Sequence, residues 1–150
     1  MSEHIDNQYM YKLEVKEPTH ERSYVYDLHY HIVFVTKYRD KIFTDDVATA
    51  LKTRINAIAD NNDFIIEAME IMPNHVHLLI SAKPKYNITT IVRNLKGNTA
   101  RWLFEQFPKL KKELRHGHIW AHSYYVGSVG NTNKDTIEHY ISSQKERDYK

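Results

Sequence analysis

The residues in this chain best suited to chemistry are two histidines and, near the C-terminal end, a tyrosine and a glutamine. His75 and His77 stand two apart in Met72-Pro-Asn-His-Val-His-Leu-Leu-Ile80, at the head of an apolar run that reads as a buried strand. Strand side chains alternate between faces, so both imidazoles share one face while Val76, Leu78 and Ile80 share the other. Two imidazoles side by side are within reach of a single divalent cation. Pro73-Asn74 is turn chemistry, which sets the pair near a strand end where a ligand can enter. The spacing alone also suits surface histidines on a half-exposed strand, since His-x-His is a weak pattern. The second group lies on a helical stripe, with Ile137, Tyr140, Ile141 and Gln144 recurring at i, i+3, i+4 and i+7. A core stripe accounts for the first three, but an amide at Gln144 needs partners if buried. Tyr140 and Gln144 lie about one turn apart, so both can reach the same small object. A phenol nucleophile beside a neutral oxygen donor, joined to two imidazoles, makes a workable site for phosphate chemistry.

Composition narrows the setting. A length of 150 residues suits one domain with its own core, and 41% hydrophobic with 27% charged residues argues against wholesale disorder. No apolar run approaches the roughly 20 residues that a membrane span needs, and the N-terminus lacks a signal-peptide pattern. The expected location is cytoplasmic, with which the absence of cysteine is compatible. With no cysteine there is no disulfide framework and no thiolate metal site, so a metal must come to His, carboxylate or amide ligands. A net charge of +2 does not by itself argue for nucleic acid. Eleven tyrosines and ten histidines are more telling, because stacking rings suit single-stranded bases.

These residues need a scaffold. Residues 1–22 are polar and aperiodic, and read as a flexible leader to a domain over 23–150. Tyr26 to Thr36 is rich in β-branched and aromatic residues, which predicts a first strand. Val47, Leu51, Ile55 and Ile58 predict a helix over about 44–60, and Asn61-Asn-Asp63 breaks it. A strand over 64–71 then forms a hairpin with the histidine strand. A second helix follows over about 88–107, with Ile88, Ile91, Val92, Leu95 and Trp102 inward. Gly97 inside it costs about 1 kcal/mol relative to Ala, which suggests close backbone approach or a local kink. Residues 108–117 read as a basic connection, 119–129 as a fourth strand and about 133–145 as a last helix. Right-handed crossovers turn this order into an α+β, ferredoxin-like (RRM-like) four-stranded antiparallel sheet with two helices on one face. The C-terminal helix is extra, and the opposite sheet face is left free for a site.

Several segments together resemble a known family. These are Tyr26-Asp-Leu-His-Tyr-His-Ile-Val-Phe-Val-Thr-Lys-Tyr-Arg39, Met72 to Ile80, Leu95-Lys-Gly97, Trp120 through Tyr124 to Gly130, and Tyr140-Ile-Ser-Ser-Gln144. They are similar to the single-tyrosine HUH transposases of small bacterial and archaeal insertion sequences, the TnpA type, and occur in that family's order. The resemblance implies that His75, His77 and Gln144 bind a divalent metal, Mg²⁺ or Mn²⁺, and that Tyr140 is the nucleophile. It implies a 5′-phosphotyrosine link with a free 3′-hydroxyl, and a homodimer whose tyrosine helix serves its own or its partner's histidines. The implied substrate is single-stranded DNA with a hairpin near each element end. Its backbone charge would be met by Lys37, Arg39, Arg93, Lys96, Arg101 and the basic run from Lys109 to Arg115, with Tyr38 among the contacts. The leader is longer than is usual for the family. His118 and His122, on one face of the fourth strand, lie outside its pattern and are either structural or an added ligand.

Other classes make different demands. A water-using metal hydrolase would take His75, His77 and a carboxylate such as Glu67 or Glu70, and would not need Tyr140. A binding module for RNA or DNA on the same sheet would not need metal. A domesticated relative acting on repeated genomic hairpins would share the transposase's chemistry and differ only in substrate.

Overall fold

The structure is a computed structural model that describes residues 19–20, 25–26, 28–114, 116–128 and 139. Its elements are β1 (Thr19–His20), β2 (Val25–Tyr26), β3 (His29–Val35), α1 (Asp45–Asn61), β4 (Ile65–Met72), β5 (His75–Ser81), α2 (Ile88–Gln106), α3 (Pro108–Glu113) and β6 (Tyr125–Ser128). A single 3-10 turn, Lys37–Arg39, follows β3. Strand alternation sets the architecture. Ile32 and Phe34 of β3 and Val76, Leu78 and Ile80 of β5 all point to one side and are fully buried. There they meet Val47, Leu51, Ile55 and Ile58 of α1 and Ile91, Val92 and Leu95 of α2 in one core. Each such side chain contributes about 1.5–3 kcal/mol through burial.

The sheet order is β4-β5-β3-β6, every neighbouring pair antiparallel, as the ferredoxin-like pattern requires. Asn87 begins α2 by accepting the Thr89 amide at 2.8 Å, and Asp45 and Asp46 place negative charge at the start of α1. β4 carries an irregularity between Ile66 and Ala68, so Glu67 is left out of register.

Four expectations change in detail. Thr19–His20, within the segment expected to be a flexible leader, pairs with Val25–Tyr26, and Tyr26 thus belongs to this small ribbon rather than to β3. The basic connection contains a short helix, α3, with Pro108 in its first turn and Leu110 and Leu114 buried. The fourth strand begins only at Tyr125. Before it, Ile119, Trp120 and Ala121 are buried, and Trp120 makes only an isolated bridge with Thr36. Finally, the sheet face away from the helices is not bare: Val33, Val35 and His77 on it are fully buried. The expected last helix, with Tyr140 and Gln144, lies outside the described residues apart from His139.

Candidate active site

His75 opens β5 and His77 follows on the same face, their ring centroids 4.9 Å apart. Neither is a surface histidine, for their exposures are 8% and 0%. Burial makes the charged form costly. It pushes His75 down to about 4, with the nearby Arg39 charge as a smaller second cause. His77 is held well below its ordinary value by burial, then by its neighbours His75 and His31. At neutral pH both rings are uncharged, the form that binds metal.

The hydrogen bonds decide which nitrogen carries the proton. His75 Nδ1 lies 2.7 Å from Asn74 Oδ1, which only accepts, so Nδ1 donates and Nε2 keeps its lone pair. Nε2 is buried and has no hydrogen-bond partner. A buried imidazole lone pair, with its ring oriented by an amide oxygen on the far side, is how a metal-ligating histidine is prepared. The donor set of two neutral imidazoles therefore fits a divalent cation. His31 lies behind His77, its Nε2 3.5 Å from His77 Nδ1, and burial lowers it to about 4 as well. Asn74 and His31 were not singled out from sequence. The available signal for His31 was the His29-x-His31 spacing, which repeats the spacing of His75 and His77 on the neighbouring strand.

The carboxylates suggested for a hydrolase do not complete this site. Glu70 stands opposite His77 across the β4–β5 ladder, and Glu67 Oε1 contacts His29 Nδ1 at 3.0 Å. Among the described residues no three His, Cys, Asp or Glu side chains are placed to hold a metal. Tyr140 and Gln144 lie outside the described residues, so the structure brings together the histidines alone of the residues named for metal and catalysis.

The residues named for DNA contact are spread more widely. Lys37, Tyr38 and Arg39 form the turn after β3, with the Lys37 ammonium 5.3 Å from the Tyr38 ring centroid. This turn is tied to the histidine hairpin: the Thr36 amide donates to Asn74 O at 3.0 Å, and the Phe43 amide to Pro73 O at 3.1 Å. Arg93 and Arg101 on α2 are exposed. Lys96 is used inside the fold instead. Its ammonium donates to the carbonyls of Ala121 at 2.7 Å, His122 at 3.0 Å and Ser123 at 3.5 Å, which takes up its three donors. Arg93, Lys96, Gly97, His122 and Tyr124 border a cavity of about 430 Å³. A Cβ on Gly97 would meet nothing, so neither close backbone approach nor crowding explains the glycine. His122 lies beside this cavity and His118 stacks on His116 at 6.4 Å, and neither is on the fourth strand.

Comparison with known proteins identifies the family. The sequence profile of the family described as "Transposase IS200 like" matches residues 24–144. The chain is 40% identical over 127 residues to the ISDra2 transposase TnpA of Deinococcus radiodurans, covering 85% of this chain and 91% of that one. It is 34% identical over 119 residues to the transposase of insertion sequence element IS200 from Salmonella typhimurium, covering 79% and 78%. The fold matches a crystal structure of a candidate transposase from Deinococcus radiodurans with a TM-score of 0.80 at 40% identity, over 84% of this chain and 97% of that one. It also matches a REP-associated tyrosine transposase bound to a REP hairpin, with a TM-score of 0.52 at 17% identity, over 85% and 73%. The chain therefore belongs to the family of IS200-like transposases, enzymes that act on DNA.

Proposed function

We propose that this transposase cuts and rejoins single-stranded DNA at hairpin-bearing ends of an insertion sequence, through a covalent link to Tyr140. The observation that carries the reading is the buried His75 and His77 pair, neutral at pH 7, with the His75 Nε2 lone pair kept ready by Asn74. Two neutral imidazoles suit a divalent cation, by affinity a transition metal before Mg²⁺, and such a cation would activate a phosphate. Gln144 is proposed as the third protein ligand and Mg²⁺ or Mn²⁺ as the ion; when bound it polarises the scissile phosphate and offsets developing charge. Tyr140 supplies the nucleophile. Its phenol oxygen bonds to phosphorus, the bond from phosphorus to the 3′-oxygen breaks, and the proton that the phenol loses is matched by one gained on the leaving 3′-hydroxyl. The product is a 5′-phosphotyrosine. Phenoxide leaves more readily than alkoxide, so a later 3′-hydroxyl reverses the exchange and joins a new strand without ATP.

The hairpin substrate is supported by the solved REP-associated relative, which was captured on a hairpin. Support for DNA contact comes from Lys37, Arg93 and Arg101 and from the exposed Lys109, Lys111 and Lys112 of α3, while Lys96 serves the fold. The active form is proposed to be a homodimer working in the cytoplasm. No described helix is long and apolar enough to cross a membrane.

The test is a covalent-adduct assay on hairpin-bearing single-stranded DNA with Mn²⁺. Wild-type protein should give a denaturant-resistant protein–DNA adduct, and Tyr140→Phe should bind the same DNA yet form none. An undiminished adduct with Tyr140→Phe would sink the assignment of the nucleophile. Release of both DNA products with no adduct in wild type would favour hydrolysis by water.

A further inference from the structure

The turn after β3 holds its backbone in an unusual state. Tyr38 (φ 56°, ψ 16°) and Arg39 (φ 56°) stand consecutively in the left-handed region, although neither is glycine. Side chains with a Cβ seldom adopt it, and they persist there only where the surroundings over-determine the backbone. Here the surroundings are those of the histidine hairpin. The Arg39 amide donates to Thr36 O at 3.0 Å, and the Thr36 hydroxyl lies 2.7 Å from Asp40 O and 3.1 Å from Asn74 O. On the outer side, His116 Nε2 contacts Asp40 Oδ2 at 3.1 Å and its ring meets Tyr38 edge-on at 4.9 Å. Thr36 and Asn74 thus lock Arg39 to the same turn that orients His75.

One donor of the side chain placed by this geometry is unsatisfied. Arg39 Nε is buried with no hydrogen-bond partner, and among the described residues no carboxylate pairs with the guanidinium. The turn that carries it is bonded through Thr36 to Asn74, the residue whose side chain orients His75. A guanidinium on the turn bonded to the histidine hairpin is, on its own, repelled by a divalent cation held at the imidazole pair. The arrangement becomes favourable when an anion lies between the two positive charges. A phosphodiester is that anion, and the planar fork of arginine matches its non-bridging oxygens.

We infer that Arg39 is a catalytic residue that grips the scissile phosphate, rather than one more contact to the DNA backbone at large. The inference rests on the proposed function and names the group that shares the phosphate with the histidine site. As negative charge builds on the phosphate oxygens during attack, a preorganised guanidinium stabilises it most in the transition state.

The test uses Arg39→Gly and Arg39→Lys in the full-length protein. Glycine removes the side chain and also relieves the left-handed backbone, so its thermal midpoint should equal or exceed that of wild type. Its single-turnover rate of adduct formation should fall about 10²–10³-fold, the usual loss for one preorganised charge-stabilising group. Affinity for a hairpin strand with a non-cleavable linkage should change by no more than about threefold, since most phosphate contacts lie elsewhere. Arg39→Lys keeps the charge without the fork and should recover only part of the rate. Calorimetry with Mn²⁺ alone gives a readout apart from activity: removing a neighbouring positive charge should leave binding equal or tighter. An adduct rate in Arg39→Gly within about threefold of wild type overturns the inference. So does a lowered midpoint together with weakened Mn²⁺ binding, which would make Arg39 a strut of the turn. If wild-type protein itself forms no adduct, the proposed function fails and takes this inference with it.

Discussion

His31, His75 and His77 occupy one buried layer of the sheet, and burial lowers the proton affinity of each, His31 and His75 to about 4 from an ordinary 6.5. Their folded-state values lie below their unfolded ones, so between about pH 4 and 6.5 the unfolded chain binds more protons than the native one. Stability therefore rises with pH through that window. The contribution is fully present above pH 6.5 and is lost as the pH falls toward 4. Each lowering from 6.5 to about 4 corresponds to on the order of 3 kcal/mol, and the shared contact with His77 makes the sum less than additive. Urea unfolding of metal-free protein should thus show a much lower midpoint at pH 5 than at pH 7.5, and His31→Asn should flatten that difference. An equal midpoint at both values would mean that the rings are solvated, contrary to their burial. The same residues show why the chemistry was only partly legible. The shared face of His75 and His77 follows from strand alternation. The tautomer does not, because it depends on Asn74, which as a sequence feature signals only a turn. Arg39 was visible as one basic residue among several; its left-handed backbone goes with a turn held by Thr36 and, through Thr36, by Asn74, and no local pattern announces it.

Most strands and helices were legible because their periodicities are clean. Val47, Leu51, Ile55 and Ile58 line the inner face of α1, and Val76, Leu78 and Ile80 the helix-facing side of β5, where spacing places them. In α2 the stripe drifts: Thr99 and Leu103 are buried, whereas Trp102 is only partly so and has the Arg54 guanidinium 5.5 Å from its ring centroid. Threonine is not an obvious core residue, but here its hydroxyl donates to Leu95 O at 2.6 Å and accepts from Trp120 Nε1 at 3.0 Å. That tertiary bond also explains the late start of the fourth strand. With Trp120 anchored on α2 and the carbonyls of residues 121–123 held by Lys96, the chain cannot pleat until Tyr125. Gly97 lies in the same helix beside open space. Gly97→Ala should therefore stabilise the protein by about 0.5–1 kcal/mol through helix propensity, with nothing to clash against. Calorimetric melting checks this, and a destabilised variant would reveal packing that the open cavity does not contain. Should Gly97→Ala melt higher yet bind hairpin DNA less well, the cavity beside α2 is part of the DNA surface.

The two edges of the sheet are unequal. β4 is irregular at Glu67, a common way to blunt an edge, while the four residues of β6 pair with β3 in unbroken register. The long central strand β3 is paired on that side only over Tyr30 to Val33, with a single bridge from Thr36 to Trp120 beyond. Among the described residues β6 is the outer strand on this side, and the proposed homodimer would pair there. In the proposed homodimer the tyrosine serves either its own subunit's histidines or the partner's. A mixing experiment separates the two arrangements. His75→Ala/His77→Ala protein and Tyr140→Phe protein, carrying different tags, are co-expressed, and the doubly tagged species is isolated. In a composite arrangement each such heterodimer has one site with both defects and one intact site, so adduct formation should return to about half the wild-type level per dimer. In a self-contained arrangement every site lacks either its histidines or its tyrosine, and no adduct forms. Sedimentation of wild type decides the prior question. A monomer that forms the adduct at full specific activity would leave β6 an ordinary exposed edge and confine every step of the reaction to one chain.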